Sequence, residues 1–419
     1  MHFHNLLNKM LNYKSHVLKN SNFDSAMHAM IVSVVPRKNG LLHCSHCGNE
    51  APQYDTLQSR DFDFIPYCGM RVVFRYTMRR VFCPHCKHVY VEKIPWGDGK
   101  SPITNEYKAV LSEEAKSNDT QTVAKRYEVT WLEVDMAIRD AVEYGLQVRD
   151  LSNVTQIGVD EVAWKNGHQY ITLVYQLNSE QRRLLWIGKD RTKKTMEDFF
   201  ADMEKEQPGF AGKLEVACTD MWKPYTDVIA ERAPQAVNIL DRFHIVKMVN
   251  EAVDQVRNDE YQELKKTYPK TLERTKYCFL KNPEHLTSRQ SLKLEELKKM
   301  NLKTNNAYLL KEQLRLMWTD CKSETTAREF LKKWIDTAMR SNLDPIKKVA
   351  GTIRRKLELI LNYFKVQSPP TSGIVEGLNR MVNLSIRKSF GFRCFETAKA
   401  YLLHQLGELT PLPFTHRFC

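Results

Sequence analysis

No run of about 18 or more apolar residues occurs in the 419-residue chain, so no membrane span is expected. The opening stretch MHFHNLLNKMLNYKSHVLKN carries scattered charge and no continuous apolar core; it makes a poor signal peptide. Cysteine is present ten times, but four of these form two CxxC pairs, which is not the pattern of a secreted disulfide scaffold. A reducing cytoplasm fits better. Acid is in deficit: 50 Asp and Glu stand against 63 Lys and Arg, a net +13. Such an excess suits a polyanionic partner, nucleic acid above all, although a basic enzyme without one has the same composition. What the chain does have is length for two to four domains and enough apolar residues, 42%, to bury their cores.

Residues 1–36 read as an N-terminal tail, with a short amphipathic helix near Leu6–Leu18 as the alternative. The first chemistry is Cys44-Ser-His-Cys47-Gly and Cys83-Pro-His-Cys86. Two thiolates three positions apart at a tight turn bind along one edge of a tetrahedral ion's coordination shell, and two such knuckles complete a structural Zn2+ site. Gly48 suits the turn. His43, His46, His85 and His88 are alternative ligands. Between the knuckles, FDFIPY and RVVFRYTMRRVF read as a β-ribbon. Arg75, Arg79 and Arg80 on it stand either on phosphates or on a solvated face.

Residues 103–147 switch to helical periodicity. One helix runs from about Ile103 to Ser117. A second follows an N-cap at Asp119 or Thr120, and a third is capped by Thr130 and ended by Gly145. Ala124, Val129, Val134 and Ile138 are apolar where two short helices crossing sharply must pack. This outlines a helix-turn-helix, with Thr130 and Trp131 at the leading end of its second helix; an ordinary helical hairpin has the same outline.

From Leu151 the runs TQIGVDEVAW, HQYITLVYQL and RRLLWIGKD alternate with polar turns. They read as three antiparallel strands. A helix, a strand ending at Asp220, a helix, a strand at AVNIL and another helix follow. Three strands, helix, strand, helix, strand, helix is the order of a ribonuclease-H-like α/β fold, whose functional residues gather at the carboxyl ends of parallel strands. Residues 248–368 hold no convincing strand and read as an all-α insertion. A last helix, GIVEGLNRMVNLSIRKSF, is capped by Thr371 or Ser372. Its Ile374, Val375, Leu378, Met381 and Val382 share one side; Glu376, Asn379, Arg380, Asn383 and Arg387 share another.

Phosphodiester cleavage without a covalent nucleophile commonly uses two Mg2+ ions roughly 4 Å apart, held by carboxylates from distant parts of the chain. Asp160, Asp220 and Glu376 are the candidates here, with Asp241 and Glu161 as competitors. At these residues the chain resembles a bacterial insertion-sequence transposase of the DD(E) class, ISL-three type. The resemblance runs from about Leu41 to Phe395. It is carried together by CSHCG, RRVFCPHC with EKIPW, IGVDE, TDMWKPY, LDRFHIVK, and VEGLNR with RKSFGF.

The resemblance implies Asp160, Asp220 and Glu376 as a catalytic triad holding Mg2+ or Mn2+. It implies one structural Zn2+ on Cys44, Cys47, Cys83 and Cys86, and strand cleavage and transfer at terminal inverted repeats. Asp241 and His244 of DRFH are read as support beside the site, not as ligands. Arg79, Arg80, Thr130, Trp131, Arg139, Arg380, Arg387 and Lys388 are expected to face double-stranded DNA. A homodimer or larger synaptic complex follows from action on two DNA ends, and a location at the nucleoid in the bacterial cytoplasm is expected. The domains expected are a tail (1–36), zinc module (37–98), helix-turn-helix (99–150), core first part (151–247), helical insertion (248–368) and core second part with the glutamate helix (369–419). A DNA-binding regulator with a non-catalytic nuclease-like core is the alternative.

Overall fold

The computed structural model describes residues 2–38, 40–165, 169–178, 180–367, 369 and 372–413. The chain forms two compact units, one from 1–149 with 385–419 and one from 150–384.

The first unit opens with α1 (Phe3–Leu11), β1 (His16–Asp24) and β2 (Ala29–Pro36), followed by the long ribbon β3 (Gln53–Tyr67) and β4 (Met70–Cys83), then β5 (His88–Val91). The sheet order is β1-β2-β4-β3, with β5 also on β4. Residues 1–36 are therefore not a tail. β2 pairs in parallel with β4 from Ala29 opposite Arg71 to Ser33 opposite Arg75, and Ala29, Val32 and Val34 are buried. The strand escaped the sequence reading because its partner β1, HVLKNSNFD, buries only His16 and Leu18 of its nine residues.

The ribbon's arginines are matched across the strands by aspartates. Arg71 binds Asp63, Arg75 binds Asp61 and Arg80 binds Asp55. Inside the module Glu92 is 2% exposed. It accepts from the Tyr76 hydroxyl at 2.7 Å, the Arg79 backbone N–H at 2.8 Å and the Arg79 guanidinium. A buried carboxylate is tolerated because its oxygens are satisfied and its charge is matched.

Three helices follow: α2 (Asn105–Ser117), α3 (Thr120–Tyr127) and α4 (Trp131–Val148). Their N-caps are Thr104, Asp119 and Thr130, the last forming a reciprocal capping box with Glu133. Glu128 turns the chain between α3 and α4 at φ +54°, and Val123, Ala124, Val134, Ala137 and Ile138 are buried. Gly145 does not end its helix, which continues to Val148. A Cβ at Gly145 would lie 2.6 Å from the Leu409 Cβ, so the glycine admits the C-terminal segment.

The second unit is built on β6 (Gln156–Lys165), β7 (Gln169–Gln176), β8 (Arg183–Lys189), α5 (Lys193–Glu206), α6 (Phe210–Lys213), β9 (Val216–Thr219), α7 (Lys223–Arg232), β10 (Val237–Leu240) and α8 (Arg242–Leu264). The sheet order is β10-β9-β6-β7-β8, with β6, β9 and β10 parallel and β7 and β8 antiparallel. Phe199 and Phe200 of α5 and Tyr225, Val228 and Ile229 of α7 share a core with Ile157, Val159 and Leu185 of the sheet.

Residues beyond α8 are helical: α9 (Lys276–Leu280), α10 (Ser288–Lys298), α11 (Lys303–Asp320), α12 (Glu324–Arg340), α13 (Asp344–Arg355) and α14 (Leu357–Leu361). No strand lies among the described residues of this segment. Its core includes Leu240 of β10 and has Met221 packed against it.

Next come α15 (Ser372–Lys388) and α16 (Phe395–Leu406). A cap at Thr371 lies outside the described residues. Val375, Leu378 and Val382 of α15 are buried, while Met381 is exposed. Residues 385–419 group with the first unit rather than with the sheet, which corrects the expected 369–419 block. The reason is local: Arg139 of α4 donates to Thr397 Oγ1 of α16 at 2.8 Å, and Leu409 fills the space over Gly145. Among the described residues no helix is long and apolar enough to cross a membrane.

His404 of α16 is buried, and neither ring nitrogen has a hydrogen-bond partner. Burial, and next the charge of Lys116, push its pKa from 6.5 to about 4. The folded chain thus refuses a proton that the unfolded chain takes. Stability is fully present above about pH 6.5 and is lost as the pH falls toward 4, by roughly 3 kcal/mol for such a shift. Thermal melts of wild type and His404→Leu across this range should show a shallower acid loss in the variant, with no loss at neutral pH.

Candidate functional site

In the first unit, the Sγ atoms of Cys44, Cys47, Cys83 and Cys86 all lie within 4.8 Å of one another, and Cys47 Sγ is 3.5 Å from Cys83 Sγ. A tetrahedral ion with Zn–S of about 2.3 Å holds its sulfurs about 3.8 Å apart, so the four thiols fit one. Each knuckle closes through a backbone turn: Gly48 N–H donates to Cys44 O at 2.9 Å, and Lys87 N–H to Cys83 O at 2.8 Å. Gly48 and Lys87 both take positive φ. The second knuckle thus makes the same turn without glycine. His46 stacks on Tyr90 at 5.0 Å, and His88 meets the same ring edge-on.

The acids of the second unit are placed by strand register. Gly158 of β6 pairs with Cys218 of β9, and Thr219 of β9 with Leu240 of β10. Continued by two residues from the first pair and one from the second, that register puts Asp160, Asp220 and Asp241 in one row across three adjacent parallel strands, which are spaced about 4.8 Å apart. Glu376 comes to the row on α15. A Cβ at Gly158 would lie 3.1 Å from Val375 Cγ2 and 2.9 Å from Leu177 Cδ1. The glycine therefore lets the helix sit down on β6, one residue before Glu376 and two before Asp160.

The side chains divide into two groups. Asp160 Oδ1 accepts from the Glu161 backbone N–H at 2.8 Å, and Oδ2 accepts from the Asn379 carboxamide. The Tyr175 hydroxyl donates to Asn379 Oδ1 at 2.7 Å, fixing which way that amide faces. His244 Nε2 lies 4.0 Å from Asp160 and 3.9 Å from Asp241. Asp220 turns elsewhere: Arg191 donates to its Oδ2 at 2.7 Å, and its Oδ1 accepts from the Trp222 backbone N–H. The Arg191 guanidinium lies over the Trp222 ring. Its Nε is also 2.9 Å from Glu161 Oε1, at an angle that leaves this buried oxygen without a hydrogen bond. Glu376 is exposed and sits 3.2 Å from Arg380 on the next turn.

Among the described residues the four cysteines are the only group of three or more such side chains within metal-sharing distance; Asp160, Asp220 and Glu376 are not so drawn together. Crowding leaves its mark all the same. Burial, and after it the Asp220 charge, push Glu161 up to about 7 against the pull of Arg191. Asp160 is raised by burial and by Asp220, opposed by the Glu161 N–H, His244 and Asn379. Asp241 is raised by burial and by the charges of Asp160 and Glu376. An all-oxygen donor set with excess negative charge fits a hard divalent cation.

The residues expected on DNA fare unevenly. Arg79 is held by buried Glu92, so it is a core cation and not a phosphate contact. Arg80 is half-exposed and paired with Asp55. Arg139 joins Asp135 to Thr397; its hydrogen bonds serve the fold. Thr130 is a helix cap, and Trp131 beside it is exposed. Arg380, Arg387 and Lys388 are exposed. Asn379, Tyr175 and Arg191 were missed as site residues. Asn379 had a signal, three residues past Glu376 on the same side; Tyr175 and Arg191 had none before the sheet was assembled.

A transposase family model of the ISL-three type matches residues 157–402, more than half of the chain. The chain is 27% identical over 353 residues to the transposase for insertion sequence element IS1001 of Bordetella parapertussis, covering 84% of this chain and 85% of that protein. It is also 27% identical over 416 residues to the transposase for insertion sequence element IS1557 of Mycobacterium tuberculosis, covering 92% and 91%. A chain of the Drosophila P element transposase strand transfer complex superposes with a TM-score of 0.40 and 10% identity, over 73% of this chain and 92% of that one.

Replacing Asn379 by Leu should leave Asp160 Oδ2 buried without its donor. The expected outcome is a loss of about 1–3 kcal/mol of stability at neutral pH, measured by denaturant titration of the metal-free chain. Tyr175→Phe should lose less, since the amide remains and only its orientation is freed.

Proposed function

The chain belongs to the ISL-three type of insertion-sequence transposases, and from that membership we propose that it cuts and joins DNA through Asp160, Asp220 and Glu376. The observation that carries this reading is the row of acids that runs from the middle of β6 across the ends of β9 and β10, with a glutamate helix seated on β6 at Gly158. These three residues would hold Mg2+ or Mn2+, which when bound supplies charge stabilisation at the scissile phosphate and a more acidic water or 3′-hydroxyl.

The chain's own residues do the positioning. Asn379, held by Tyr175, fixes the Asp160 carboxylate. Arg191 occupies Asp220, and Arg380 occupies Glu376. Both guanidiniums must turn away for the acids to act together. Each then has a phosphate oxygen as an alternative partner, so DNA binding and release of the acids are one exchange. Phosphoryl transfer then depends on positioning and electrostatics. Cleavage at terminal inverted repeats exposes 3′-hydroxyls that attack target DNA; two ends imply a homodimer or larger synaptic assembly at the bacterial nucleoid. The sheet is read as ribonuclease-H-like, interrupted by a helical insertion. α2 to α4 are read as a helix-turn-helix presenting Thr130 and Trp131, with Arg80, Arg380, Arg387 and Lys388 on phosphates. The four cysteines are read as a structural Zn2+ site.

Asp160→Ala, Asp220→Ala and Glu376→Ala should each reduce Mg2+-dependent cleavage of an element-end duplex to background while leaving its binding intact. Asp241→Ala is the control for the row. If it abolishes cleavage and Asp220→Ala does not, the triad is misassigned. If no variant affects cleavage, the site lies elsewhere. A wild-type chain that binds but never cuts or joins would favour the regulator reading.

Metal analysis should find about one zinc per chain, lost in Cys44→Ser or Cys83→Ser together with order in the β3–β4 module. A zinc-free chain with unchanged thermal stability would remove the metal from the account.

A further inference from the structure

We propose that Phe390 is a base-stacking contact, an aromatic ring held out among cations to take an unpaired nucleobase. This rests on the reading of the chain as acting on DNA and adds to it a contact that phosphate binding alone does not supply.

Three observations carry it. Phe390 is 95% exposed, the highest value among the exposed large hydrophobics of the described residues. Water gives no reason to hold a ring there. It also sits at φ +51°, just past the end of α15, where glycine is the ordinary residue because a Cβ is strained. The turn is nonetheless well made: Phe390 N–H donates to Arg387 O at 3.0 Å, Gly391 N–H to Ile386 O at 3.1 Å, and Ser389 Oγ to Ser385 O at 2.9 Å. Finally, the loop is anchored by its other ring. Phe392 is buried, 5.3 Å from Tyr401. One ring is packed inward and its near neighbour is held out on a hydrogen-bonded turn.

The surroundings select the occupant. Arg387, Lys388 and Arg393 are exposed, and no acid occurs from Ser385 to Phe395. A second copy of this surface would bring like charges together. Nucleic acid offers the opposite charge, and every base has a face that an aromatic ring covers. In an intact duplex those faces are already stacked, so a projecting ring is served by a base that is unpaired or pushed out.

The test uses the full chain and two duplexes, one fully paired and one carrying a single unpaired 2-aminopurine. Wild type should prefer the second by about tenfold and quench its fluorescence. Phe390→Ala and Phe390→Leu should lose both effects while binding the paired duplex as before; Phe390→Trp should keep them. Arg387→Ala with Lys388→Ala should weaken both duplexes alike and flatten the salt dependence. Preference retained in Phe390→Ala, or in Phe390→Leu, overturns the proposal, the latter because an apolar contact then suffices. So does a change in oligomeric mass in the alanine variant with DNA binding unaltered. Wild type that binds neither duplex with salt dependence would overturn the DNA reading itself, whereas binding without preference overturns only the stacking contact.

Discussion

Repulsion among carboxylates is the constraint around which the second unit is arranged. Asp160, Asp220 and Asp241 occupy one row of the sheet, Glu161 is next to the first, and Glu376 is added from α15. Without compensation such a row would not stay ionised and buried together. The chain answers with separate measures: Arg191 for Glu161 and Asp220, His244 beside Asp160 and Asp241, Arg380 for Glu376, and the Asn379 amide for Asp160. None of these neutralises the whole row, which is why several of its pKa values stand high.

The first unit solves a related problem with the opposite sign. Its sequence is rich in arginine, and the ribbon pairs those arginines with aspartates across β3 and β4. Net charge therefore overstates what this face offers a polyanion. The cations without such pairing are to be sought elsewhere, among them the exposed Arg387 and Lys388 in the last turn of α15.

Much of this was legible beforehand because it is local. The two CxxC pairs, the caps at Asp119 and Thr130, and the strand order from Thr155 to Leu240 are written in short-range patterns. The acid row was half legible: Asp220 and Asp241 end strand-like runs and Asp160 lies within one, but parallel register aligns them and register is not visible in a single strand. Arg79 was misread because nothing local distinguishes it from Arg80; its partner Glu92 lies thirteen residues on, inside the module. Residues 1–36 were misread because a strand that buries few residues looks like a polar tail. Gly145 was misread as a stop signal because its reason, Leu409, is more than two hundred residues away.

The helical segment between β10 and α15 also bears on how such a chain can change. An insertion looped out of a sheet can usually be trimmed with little consequence. Here α8 begins at the Asp241 cap, and its stripe of Ile245, Val249, Val253 and Val256 lies in one core with Leu240 and helices α9 to α14. Met221, next to Asp220, packs against that same core. Two of the acid-bearing strand ends thus rest on the segment that looks dispensable. A shortened transposase of this type cannot be reached by deletion alone; it would need a new floor beneath Asp220 and Asp241 before it could lose the old one.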